Sequence, residues 1–67
     1  MSHLDYLQKM MYLKELIEKG MAESPGILSQ RLLVSDRTIK RMITDLRLLG
    51  IEIYFDRIAN KYMIKNE

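Results

Sequence analysis

Apolar positions along this chain follow a helical period for two thirds of its length and then switch to alternation. Over the first segment Tyr6, Met10, Leu13 and Ile17 recur at spacings of four, three and four, and Leu7 and Leu16 widen the stripe. This predicts an amphipathic helix over about 4–19 whose apolar side packs a core. Gly20 ends it, with Lys19 in the last turn where the helix dipole favours a cation.

Ser24-Pro25 opens a second, short helix over about 25–33, because serine caps well and proline at the first helical position loses no hydrogen bond. Ile27, Leu28, Leu32 and Leu33 form its expected buried side. A further cap follows at once. Ser35, with Asp36 in the next turn, starts a third helix over about 35–49, carried by Ile39, Ile43 and Leu46 and stopped by Gly50. Two helices joined by so short a turn cannot lie antiparallel and must cross steeply, as in a helix-turn-helix. Past Gly50 the period becomes two. Ile51, Ile53 and Phe55 alternate with Glu52 and Tyr54, and Tyr62 and Ile64 flank Met63, with a polar-ended loop Asp56–Asn60 between them. The expected fold is mainly α with a small β-hairpin over about 51–64, as one domain spanning 1–67.

Charge sharpens this picture only when divided along the chain. The net charge is +2. Residues 24–49 hold Arg31, Arg37, Lys40, Arg41 and Arg47 against Asp36 and Asp45, five cations less two acids, or +3. Residues 1–23 hold three cations against four acids, and residues 50–67 balance three against three. A basic middle third points to a polyanionic partner, although an excess of three is common on ordinary domains.

The third helix concentrates that charge on one side. Turning about 100° per residue from Ile39 keeps Ile43 and Leu46 within about 40° of it and sends Arg37, Lys40, Arg41 and Thr44 about 100–200° away. Arginine bridges two acceptors on a guanine edge, while lysine and hydroxyl groups suit phosphates and base edges. Ser35 and Thr38 stand at the positive helix end, where hydroxyl and amide groups hold a phosphate. The same face also reads as an ordinary solvated one, with Asp45 four residues after Arg41 as an exposed ion pair.

The stretch Val34-Ser35-Asp36-Arg37-Thr38-Ile39-Lys40-Arg41, preceded by Leu28-Ser29-Gln30-Arg31-Leu32-Leu33 and followed by Leu49-Gly50-Ile51, resembles the winged helix-turn-helix of bacterial transcriptional regulators. It is most similar to the N-terminal domains of WYL-domain and DeoR-type regulators and of the biotin repressor, over roughly residues 9–64. The resemblance implies a winged helix-turn-helix of three helices and a two-stranded wing, with Ser35, Arg37, Thr38 and Arg41 approaching double-stranded DNA. It puts Lys40 and Thr44 at the variable, sequence-reading positions, and Tyr62 at the wing tyrosine that packs the hairpin onto the helices. Arg57 and Lys61 in the wing are further DNA-contact candidates, with solvated loop charges as the alternative. Three places depart from the pattern. Leu33 stands where the turn often has glycine, Met42 replaces an aspartate, and Asn60-Lys61 replaces a glycine pair.

Other chemistry finds little footing. There is no cysteine, and the single histidine, His3, reads as a solvated side chain near the chain end. No nucleophile–base pair, metal-ligand spacing or phosphate-cradling glycine loop occurs, so neither an enzyme nor a cofactor, metal or small-molecule site is expected. Glu15 and Glu18, flanked by Lys14 and Lys19, read as a solvated helix face. No apolar run spans a membrane and no signal segment is visible, which makes the cytoplasm the expected location. Met11, Tyr12, Met42 and Leu48 are apolar positions the expected core leaves unclaimed, and they offer a homodimer patch. Met42 and Leu48 also favour the alternative function, a winged helix that docks on another protein without binding DNA.

Overall fold

The structure, a computed structural model, describes residues 2–65; Met1, Asn66 and Glu67, which the expected domain over 1–67 includes, lie outside the described residues. Helices α1 (His3–Glu18), α2 (Pro25–Leu32) and α3 (Asp36–Leu48) precede an antiparallel hairpin of β1 (Ile53–Asp56) and β2 (Lys61–Ile64). Each expected element is present, with ends displaced by one or two residues for local reasons.

Ser2 starts α1, its hydroxyl accepting the amide of Asp5 at 3.1 Å. Lys19 is the C-cap rather than a last-turn residue, and Gly20 turns left-handed at φ 72°. Ser24 occupies the N-cap of α2 without a side-chain capping bond. That helix stops at Leu32. Leu33, expected within it and on its buried side, instead takes the left-handed conformation at φ 58° and ψ 45° and is 82% exposed. A side chain with a Cβ is strained by about 1–2 kcal/mol there.

The core is one cluster centred on Leu13, Leu28, Ile39, Met42 and Leu46, ringed by Met10, Leu16, Ile17, Ala22, Leu32, Ile43, Ile53 and Tyr62. Three expectations need correction. Leu7 and Ile27 are exposed, because the stripes of α1 and α2 that meet the core are narrower than the sequence suggests. Met42 is the reverse: expected to be free, it has no exposed surface at all. It lies about 60° to one side of Ile39 on the helix, still within the width that α3 buries.

The hairpin pairs Ile53 with Ile64 and Phe55 with Tyr62, so these four share one face; Ile53, Tyr62 and Ile64 pack against the helical core, while Phe55, nearer the turn, is exposed. Phe55 meets the Tyr62 ring edge-on, with centroids 5.0 Å apart. The turn is built without glycine. The Asp56 carboxylate accepts the amides of Ile58 and Ala59 at 2.9 and 3.2 Å, and Asn60 takes φ 57°, which asparagine tolerates. Three bonds fasten the hairpin to the rest: Arg47 Nε donates to the Ile53 carbonyl (3.1 Å), the Tyr62 amide to the Ala22 carbonyl (2.7 Å), and Lys61 Nζ to the Gly20 carbonyl (3.1 Å). Among the described residues no helix is long and apolar enough to cross a membrane.

Candidate nucleic-acid interface

The candidate surface is built on α3, so its geometry begins with the start of that helix. Ser35 Oγ accepts the Thr38 amide at 3.2 Å and lies 2.9 Å from Thr38 Oγ1. The Ser35 hydroxyl therefore caps the helix and the Thr38 hydroxyl is engaged with it, which sets the direction in which α3 leaves the turn.

Burial of Ile39, Met42, Ile43 and Leu46 leaves Arg37, Lys40, Arg41 and Thr44 exposed together along the opposite side. Among the described residues none of the three cations is held in an ion pair; the two pairs present, Lys9–Asp5 at 3.6 Å and Lys14–Glu18 at 4.0 Å, are both on α1. Thr44 donates its hydroxyl proton to the Lys40 carbonyl at 3.1 Å, so it faces outward as an acceptor. Arg47, by contrast, is turned back to β1.

The alternative reading of this face as an Arg41–Asp45 ion pair is not what forms, because Tyr6 engages both residues. Its hydroxyl donates to Asp45 Oδ2, and the Arg41 guanidinium lies over its ring, 5.5 Å from the centroid. Desolvation, and then the hydrogen bond and charge of Asp45, push the Tyr6 pKa up to about 12, against a smaller opposing effect of Arg41. Ser2, His3, Tyr6, Thr38 and Arg41 line a cleft of about 400 Å³ beside this contact. The N-terminal turns of α1 thus brace the flank of the cationic strip. Sequence reading missed this role of Tyr6. Its only signal was a polar tip at the edge of an otherwise apolar stripe.

The hairpin candidates divide. Arg57 is exposed in the turn, beside Ile58, which is 99% exposed. Lys61 is not brought to the strip, because its half-buried ammonium is bound to Gly20 just past the C-terminal end of α1. His3 and Tyr6, which line a cleft with Thr38 and Arg41, are at the other end of that 16-residue helix, and at 1.5 Å per residue the ends lie about 24 Å apart. Lys61 acts as an anchor of the hairpin. Tyr62 is buried under it, and burial raises its pKa above the usual tyrosine value.

Leu48 lies on the same outer side of α3 as the cations, one turn beyond Thr44, and is 80% exposed. The outer face of α3 is therefore cationic for its first turns and apolar at its end. No protein family, curated protein or solved structure matches this chain.

Proposed function

We propose that the chain binds double-stranded DNA as a winged helix-turn-helix domain and acts in transcriptional control, as its resemblance to bacterial regulators implies. In this reading α3 enters the major groove and the hairpin is the wing. The observation that carries it is the exposed row Arg37, Lys40, Arg41 and Thr44, whose cations have no acidic partner among the described residues and whose reverse side is the core. Unpaired cations on a rigid helix meet the phosphate and base-edge acceptors of a duplex, and a bidentate arginine discriminates a guanine by about 1–3 kcal/mol. Tyr6 holds Arg41 in one region before any ligand arrives, which lowers the ordering cost of binding.

Duplex binding titrated against salt tests this. Each phosphate neutralised contributes about −0.9 to the slope of log K against log salt, and replacing a base-reading arginine blurs sequence preference while replacing a phosphate contact does not. A second reading, docking on another protein through α3, rests on Leu48 alone, since Met42 belongs to the core. A salt-insensitive complex with a protein and no duplex binding would favour it.

A further inference from the structure

Helix α1 has two apolar sides. One holds Met10, Leu13 and Ile17 in the core; the other carries Leu4, Leu7 and Met11, spaced by three and four residues and all exposed. A helix that is apolar on both sides is normally covered on both. At the end of α3, Leu48 and Leu49 extend the second side, sharing with Leu7 a cleft of about 410 Å³ between the helices. A shallower recess continues from Leu7 past Met11 and Tyr12. Leu4, Leu7, Met11, Tyr12, Leu48 and Leu49 are all exposed, and a contiguous apolar patch of this kind on so small a domain marks an interaction surface.

We infer that a second copy of this chain covers this face, with the two α1 helices antiparallel about a two-fold axis between Leu7 and Met11. The charge layout selects that occupant. Glu15 and Glu18 lie in the last turn of α1, which contains no basic residue, so their own helix dipole disfavours them. Lys14 offsets Glu18 at 4.0 Å, while Glu15 has no ion pair among the described residues. An antiparallel copy puts Leu7 on the partner's Met11, Met11 on the partner's Leu7, and Glu15 at the positive N-terminal end of the partner's α1, beside the partner's His3. The same contacts recur on both sides of the axis, as an isologous interface requires. The face adjoins the cationic strip, since Arg41 lines the cleft shared by Leu7, Leu48 and Leu49, but the inference uses no property of DNA binding.

Sedimentation equilibrium of the 67-residue chain tests it. The expected mass at protein concentrations of tens of micromolar is twice 8.0 kDa, returning to the monomer mass in chains carrying Leu7→Glu or Met11→Lys, with helical circular dichroism retained because both residues are exposed. Glu15→Lys should weaken the dimer at least several-fold, and His3→Glu added to it should restore it. Register is read by cross-linking, since the chain has no cysteine of its own. On mixing Leu7→Cys and Met11→Cys chains under oxidation, the mixed disulfide should dominate. A monomer at every concentration up to about 1 mM, a dimer indifferent to Leu7→Glu and Met11→Lys, or cross-links only between like positions would overturn the inference.

Discussion

Tyr6 lies under Arg41: the guanidinium is 5.5 Å from the ring centroid, and the phenolic hydroxyl reaches past it to the Asp45 carboxylate. One side chain of α1 thereby braces the cationic flank of α3 and occupies the acid that would otherwise neutralise it. Tyr6→Phe should keep the ring under Arg41 but remove the bond to Asp45, costing about 1–2 kcal/mol because the pair is only half-buried. At about 4–8 °C per kcal/mol for a domain this small, the loss is visible in a thermal melt. Tyr6→Leu should lower the melting temperature further and also weaken duplex binding more than Tyr6→Phe, by removing the ring.

The same tyrosine makes stability depend on alkaline pH. Its pKa is about 12 in the folded chain against the usual value of 10.0, so the folded state holds the proton longer than the unfolded one. The contribution is fully present below pH 10 and is lost as pH rises from there through 12. Tyr62, raised by burial, acts in the same direction. Urea midpoints measured from pH 8 to 12 should fall most steeply above 10, and the fall should be shallower in Tyr6→Phe. An unchanged profile in that variant would assign the loss to other groups.

Leu33 carries its left-handed backbone without the freedom of glycine. Leu33→Gly should raise stability by about 1 kcal/mol, since relief of strain exceeds the added entropy of the unfolded chain. Leu33→Ala, which keeps a Cβ, should give no comparable gain. Asn60→Gly should change little, because asparagine already accepts φ 57°.

Two apolar residues of α3 that the sequence treats alike should behave oppositely. Met42→Ala should cost about 2–5 kcal/mol by opening a cavity among fully buried neighbours, enough to unfold much of a domain this small. Leu48→Ala, at an 80% exposed site, should stay within about 0.5 kcal/mol. Circular dichroism melts of the two variants separate these outcomes directly.

That contrast also marks how far the sequence could be read. The helix starts were legible because Ser35 and Pro25 carry local signals, and the hairpin because alternation differs from a period of 3.6. The row Arg37, Lys40, Arg41 and Thr44 followed from angular position alone. Met42 escaped because three isoleucine and leucine positions define the centre of a buried stripe but not its width, and the width depends on what packs from α1 and α2. Leu7 and Ile27 were overassigned for the same reason. The bonds from Tyr6 to Asp45, Lys61 to Gly20 and Tyr62 to Ala22 join residues about forty apart in sequence, and no local pattern announces such partners.

Binding of a duplex by the exposed strip of α3 is read most directly from its salt dependence. The folded chain, and chains carrying Arg37→Ala, Lys40→Ala, Arg41→Ala or Lys61→Ala, would be titrated with duplex DNA by fluorescence anisotropy from low to physiological salt. A negative slope is expected, shrinking by about 0.9 for each phosphate contact removed from α3. Lys61→Ala should leave the slope unchanged, because that ammonium is used at Gly20. Absence of duplex binding at low salt, or binding that survives replacement of all three α3 cations, would contradict binding by this strip.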